Sequence, residues 1–225
     1  KSIVNQREIG MDTLDWTAAL KNAMRQAPDC ILIGEIRDKE TMQAAIAYAQ
    51  TGHMCLATLH ANNSYHALNR IISFFPLENR PALFLDLSVS LRAIISQRLT
   101  VKQDGKRTPA CEVMLNTRHI SELIERGEVS SIKEAMEQTL APGSQTFEQD
   151  LFRLYRDGKI SLDEALTNAD SPTNLSWLIN NSEINASGGR DERKTDAALE
   201  FDSTNSGGAS FKEFTLTLGD EDNER

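Results

Sequence analysis

Cys30-Ile31-Leu32-Ile33 is an unbroken apolar run that stops at Gly34-Glu35, and Met54-Cys55-Leu56-Ala57-Thr58-Leu59 repeats the pattern and stops at His60. A run without alternation suits a strand buried on both faces, as in parallel sheets. Between the two runs, Asp38 can cap a helix from Lys39 to about Thr51. Gly52 can close it, because glycine takes the left-handed backbone at little cost. Strand, helix, strand is a βαβ unit, the crossover that parallel neighbours require. The expected fold class is therefore α/β with a parallel sheet.

The rest of the chain fits around this unit. Ser2-Ile3-Val4 reads as a strand within Lys1–Ile9, and Asp12 with Thr13 can cap a helix from Leu14 to about Gln26, which Pro28 ends. Ser64–Ser73, with Asn62, Asn63 and Ser64 offering caps, and Pro81–Gln97 read as helices. Gln97–Lys102 and Pro109–Leu115 flank Asp104-Gly105 as an antiparallel hairpin. From Arg118 to about Asn180 the pattern is helical, in segments Ile120–Arg126, Ser130–Leu140, Phe147–Arg156 and Ser161–Asn168, with Ser161-x-x-Glu164 as a capping box. From Asn181 on, Asn, Ser, Gly and Asp dominate, the composition of a linker or disordered tail, and only Phe211–Leu218 alternates like a strand that could dock on a partner's sheet edge. Three parts are expected: 1–115, an α/β core; 116–180, a helical subdomain; 181–225, an acidic tail.

Charge narrows the function classes. The 225 residues carry 24 basic and 33 acidic side chains, a net of −9. Residues 181–225 hold 11 acidic and 5 basic residues, a net of −6, which leaves only −3 on the first 180. Neither part offers the basic face that nucleic-acid binding requires. No stretch approaches the ~18 apolar residues of a membrane-spanning helix. Cys30, Cys55 and Cys111 form no CxxC pair, and the histidines do not cluster with them, so neither a disulfide framework nor a zinc signature is expected. The chain opens on Lys1 as if inside a domain, so an upstream portion is expected and the lack of a targeting signal carries no weight.

In open α/β sheets, ligands bind at the carboxyl ends of the strands. Glu35 ends the first run and His60 the second, so neighbouring strands at about 4.8 Å spacing would present a carboxylate and an imidazole to one ligand. The carboxylate could activate water or help hold magnesium, and the imidazole could hydrogen-bond a phosphate oxygen. The plain alternative is that Glu35 pairs with Arg37 and His60 caps the following helix. His53 precedes His60 by seven positions, roughly 20 Å along a strand, so the two cannot share a phosphate or a metal. No G-x-x-x-x-G-K-[ST] loop occurs, so the phosphate cradle expected beside such a sheet is missing from these residues.

Asn5-Gln6-Arg7-Glu8, the stretch from Asp29 through Ile31-Leu32-Ile33-Gly34-Glu35-Ile36-Arg37-Asp38 to Thr41, Thr51-Gly52-His53 and Thr58-Leu59-His60 closely resemble the secretion ATPase superfamily. Gln145-Thr146-Phe147-Glu148-Gln149 and Leu154-Tyr155-x-x-Gly158-x-Ile160-Ser161 resemble its C-terminal helices. Within the superfamily the chain is similar to the twitching-motility retraction ATPases, the PilT/PilU branch, and most to its PilU side. The resemblance extends to about Asn180.

It implies the C-terminal part of a RecA-like P-loop NTPase core, followed by a small helical domain. It also implies an ATPase that powers type IV pilus retraction, using ATP and Mg, with the fragment alone inactive. Ile31–Asp38 matches the Walker B segment, with Gly34 at the usual aspartate position and Glu35 as the catalytic carboxylate that orients water and helps hold magnesium. Gly52-His53 to His60 matches the histidine box, where His60 would sense the γ-phosphate and His53 would serve packing or a subunit contact. Arg37 and Thr58 fall beside them as candidate nucleotide contacts. The Walker A loop, acidic box and trans-acting arginines lie upstream in the family.

The implied partners are a homo-hexamer or a paralogous retraction ATPase, and an inner-membrane pilus platform protein. The implied location is the cytoplasmic side of the inner membrane, reached through partners. PilT-type proteins carry Ala-Ile-Arg-Asn-Leu-Ile-Arg-Glu where this chain has His119-Ile120-Ser121-Glu122-Leu123-Ile124-Glu125-Arg126, which favours the PilU-like side. A non-hydrolysing accessory partner is one alternative. Another is a pilus-extension or type II secretion ATPase, which usually carries a four-cysteine insertion.

Overall fold

In the computed structural model, Ile31 to Ile33 and Cys55 to Ala57 run side by side as parallel strands β1 (Cys30–Ile33) and β2 (Met54–Ala57), with Ile33 paired to Ala57. Residues 3–139 and 141–187 are described. In chain order α1 is Trp16–Met24, and α2, Lys39–Gln50, is the crossover helix between the two strands. Asp38 Oδ1 accepts from the Thr41 N–H at 2.8 Å to start α2, and Gly52 at φ +93° turns the chain away after it. Such a cap stabilises a helix by about 1 kcal/mol. The α2 face carrying Met42, Ala45 and Ile46 packs with Ile31 and Ile33 into the first core.

The remaining elements are α3 (Ser64–Ser73), α4 (Arg80–Ser90), β3 (Ala93–Val101), β4 (Arg107–Leu115), α5 (Arg118–Glu125), α6 (Ile132–Gln138), α7 (Phe147–Arg156), α8 (Leu162–Asn168) and α9 (Pro172–Ser187). β3 and β4 form a separate antiparallel sheet, with Gln97 paired to Cys111. The class is α/β. Ile120, Ile124, Ile132 and Met136 of α5 and α6 belong to the first core, while Phe147, Leu151, Leu154, Ile160 and Leu175 form a second core around α7. No helix among the described residues is long and apolar enough to cross a membrane.

Several local expectations need correction. Ile3 and Val4 are exposed and not in a strand. α1 starts at Trp16, because Asp15 and not Asp12 or Thr13 accepts from the Ala18 N–H, at 2.7 Å, and Leu14 is left in solvent. The helix expected over Pro81–Gln97 stops at Ser90. Ala93–Gln97 is drawn into β3, where β4 supplies its backbone partners and the branched Ile94 and Ile95 fit the pleat. The reading of Ser130–Leu140 as one helix resolves into a 3-10 turn, Val129–Ser131, and α6; Leu140 lies outside the described residues.

Ser161 caps α8 as expected, accepting from the Glu164 N–H at 3.1 Å. The box does not close, however, since Glu164 Oε1 accepts instead from the Val101 N–H at 2.7 Å and ties α8 to β3. β1 is buried on one face only: Ile31 and Ile33 point inward, while Leu32 is 71% exposed. α9 continues past Asn180; the acidic tail from residue 188 and its Phe211–Leu218 segment lie outside the described residues.

Candidate functional site

The backbone of β1 and β2 stays joined beyond the regular pairing. The Ile36 N–H donates to the Thr58 carbonyl at 3.0 Å, and the Thr58 hydroxyl donates to the Gly34 carbonyl. These bonds bring the two strand ends together, and Glu35 and His60 emerge from them on the same rim. His60 Nε2 lies 3.2 Å from Glu35 Oε1. Arg37 Nε donates to the other oxygen, Oε2, at 2.6 Å. The carboxylate is partly covered, whereas the imidazole and the guanidinium are almost entirely in solvent.

Half of the plain alternative is therefore present alongside the ligand-facing arrangement, since Glu35 pairs with Arg37 and His60 together. The other half is absent: Asn63, not His60, caps α3, its Oδ1 accepting from the His66 N–H at 2.8 Å. The hydrogen bond from Arg37 is the main reason that the Glu35 carboxyl sits below the ordinary carboxylate value. Partial burial opposes this, and the nearby charges of Arg37, His60 and Arg70 add to it. Glu35 is thus an anion at neutral pH, able to accept a proton or a hydrogen bond from water.

Gly34 sits immediately before this carboxylate. Its backbone is not left-handed, and a Cβ built on it would meet nothing within 4 Å. Neither strain nor packing among the described residues calls for glycine there, so the open space beside the strand end suits a group that approaches the backbone closely.

Past His60, an open groove of about 400 Å³ is lined by Asn62, His66, Asn69 and Arg70 together with His60 itself. Its donors are amides, imidazoles and a guanidinium, a set that favours anionic oxygen. The sequence reading missed His66, Asn69 and Arg70. The signal was available: with the α3 cap at Asn63, His66 and Arg70 are four apart and share a face.

His53 lies at the opposite end of β2, its Nδ1 3.0 Å from the Thr51 hydroxyl, and lines a larger, mainly apolar groove between β2 and β3. The structure does not bring it to His60. Among the described residues no three His, Cys, Asp or Glu side chains gather as a metal cluster. At this rim Glu35 is a carboxylate that would help hold a magnesium ion through water. That fits an ion which keeps most of its waters and takes one or two carboxylates plus phosphate oxygens.

Residues 4–121 match the family described as Type II/IV secretion system protein. The chain is 50% identical over 178 residues to the Type IV pilus ATPase PilU of Pseudomonas aeruginosa, covering 79% of this chain and 47% of that protein. It is 38% identical over 175 residues to the Type IV pilus retraction ATPase PilT of the same organism, covering 78% and 51%. The crystal structure of the pilus retraction motor PilT with bound ADP superposes with a TM-score of 0.70 at 38% identity, over 78% of this chain and 49% of that one. The chain spans about half the length of the curated relatives it matches. By its family match and its fold, the chain belongs to the Type II/IV secretion system protein family.

Proposed function

We propose that this chain is the catalytic-half portion of an ATP-hydrolysing motor subunit that powers type IV pilus retraction. The observation that carries the proposal is the Glu35–His60 pair on one rim of parallel strands; the kinship to PilU and PilT supports it. Glu35 accepts a hydrogen bond from the attacking water and takes its proton. His60 donates to an oxygen of the terminal phosphate, on the side where the groove continues to Arg70. Arg37 keeps Glu35 ionised, and Gly34 and Thr58 lock the strand ends that aim the two groups. Phosphoryl transfer depends mainly on such positioning and charge stabilisation.

A magnesium ion held through water by Glu35 would neutralise charge on the phosphate oxygens. On this reading the phosphate-binding loop lies in the half of the relatives' length that this chain does not match. A hexameric ring, contact with an inner-membrane platform protein and a place at the cytoplasmic face of the membrane complete the proposal, with His53 in packing or a subunit contact.

The test joins the N-terminal half of the Pseudomonas aeruginosa PilU to this chain and measures ATP turnover with and without Glu35→Gln. Loss of a general base costs about 10²–10⁴-fold, so turnover should fall at least a hundredfold. Equal turnover would overturn the role of Glu35. The departure of α5 from the PilT-type segment favours a PilU-like motor; the alternative is a non-hydrolysing accessory to another motor. It would be upheld by an assembled chimera that binds ATP and does not turn it over with Glu35 intact.

A further inference from the structure

Arg98 of β3 gathers three separate stretches of chain around one guanidinium. Its Nη1 donates to the Asn168 carbonyl at 2.6 Å, and its Nη2 donates to the Asn62 carbonyl at 3.2 Å and to the Asp170 carboxylate. The guanidinium carbon lies 4.0 Å from the centroid of the Phe147 ring, which is fully buried. Asp170 uses its other oxygen, Oδ2, to accept from the Asn63 side-chain amide at 2.8 Å. Asn63 in turn caps α3. Two consecutive residues, Asn62 and Asn63, are therefore tied to the α8–α9 connection by polar links, and His60 stands just before them.

The Arg98 and Asp170 side chains are only 21% and 18% exposed, so these charge-assisted bonds are little screened by water. Lysine could not replace the arrangement, because an ammonium is a point charge that lacks the planar fork and the stacking face.

We propose that Arg98 is a positioning residue that holds the His60 imidazole against Glu35 by fixing the Asn62 carbonyl and, through Asp170, the Asn63 side chain, with Asp170 and Phe147 holding Arg98 in turn. For its effect on turnover this rests on the motor reading above; for the loop itself it rests on geometry alone. The helical segments around α7 and α8 thereby gain a handle on the reactive rim. A displacement of residues 168–170 reaches His60 through the Asn62 carbonyl and the Asn63 amide.

Two measurements test it. Backbone hydrogen exchange is first compared in the 225-residue chain for the unsubstituted protein and Arg98→Lys. Exchange at residues 59–64 should rise about tenfold, with α2 unchanged, because locally opened segments exchange independently of the rest. Unchanged exchange in the loop would overturn the proposal whether or not the chain is part of an ATPase.

In the PilU chimera, Arg98→Lys should lower kcat about tenfold, since small misplacements of a reacting group cost that much or more. The KM for ATP should stay within about twofold. In a His60→Ala background the same change should add nothing further. A full additional loss there would show that Arg98 acts other than through His60 and would overturn the proposal. Should Arg98→Lys loosen α7 as a whole, Asp170→Asn repeats both arms with a smaller expected effect in the same direction. A Glu35→Gln chimera with unaltered turnover would fell the motor reading and leave the exchange result to decide on Arg98.

Discussion

Glu35 and His60 face each other at 3.2 Å across the C-terminal ends of adjacent parallel strands, while Arg37 occupies the remaining carboxylate oxygen. The carboxylate is oriented from both sides before any ligand arrives. Preorganised groups of this kind need no rearrangement at the moment of reaction.

If Glu35 is the base of the proposed reaction, Arg37 would set the acid side of its activity profile. Its hydrogen bond holds the Glu35 carboxyl below the ordinary carboxylate value. The favourable pairing is therefore fully present above that ordinary value and is lost as pH falls through the lowered one. Arg37→Ala should move the acidic limb of kcat/KM toward higher pH, as measured by ATP turnover of the chimera across pH. A limb that stays put would contradict this account of Arg37.

Gly34→Ala separates ligand access from folding. A Cβ at this position meets no neighbour and the backbone is compatible with alanine. The melting temperature of the chain should thus change little, within the ~0.5 kcal/mol typical of surface substitutions. Nucleotide turnover in the chimera should drop if a group approaches that strand end. Full turnover would refute the close approach.

Glu112 makes stability depend on pH in the opposite sense to Glu35. Burial pushes its carboxyl above the usual glutamate range; the Ser64 N–H and hydroxyl, both donating to Oε1 at 2.7 Å, oppose this, and Asp170 and Glu148 add repulsion. The folded chain keeps this proton to higher pH than the unfolded one. The resulting stability is full below the ordinary glutamate value and is lost as pH rises through the raised one. Glu112→Gln keeps the Oε1 acceptor and removes the titration. Its melting temperature should fall less between mildly acidic and neutral pH, by about 2–4 °C, as read by thermal denaturation at a series of pH values. Parallel curves would contradict the assignment.

Phe147 anchors the second core and the Arg98 stack together. Phe147→Ala should cost roughly 3–5 kcal/mol in urea unfolding, the range for a buried aromatic. Phe147→Leu should cost less while still releasing the guanidinium. A cost under about 1 kcal/mol for alanine would mean that the ring is not part of a packed core.

The elements legible in the sequence are those whose ends carry their own chemistry. α2, α3 and α7 begin at Asp38, Asn63 and Thr146, each of which accepts a backbone N–H of the first turn. The meeting of Glu35 and His60 was legible because a βαβ unit places both strand ends on one rim. Leu91–Ile95 was not, because an apolar stretch suits a helix and a strand equally, and only β4 decides between them. Glu164 keeps the sequence of a capping box while its carboxylate serves a strand. Arg98 and Asp170 are 72 positions apart, and no spacing rule reaches that far.

The bare flank of the β1–β2 pair, where Leu32, Met54 and Leu56 face water, bears on the chemistry at its rim. Parallel strands gain much of their stability from being covered on both sides. A cover on this flank would also steady the strand ends that carry Glu35 and His60. On the proposed motor reading, linkage would work in both directions: if a covered flank favoured nucleotide by some factor, nucleotide would favour the cover by the same factor.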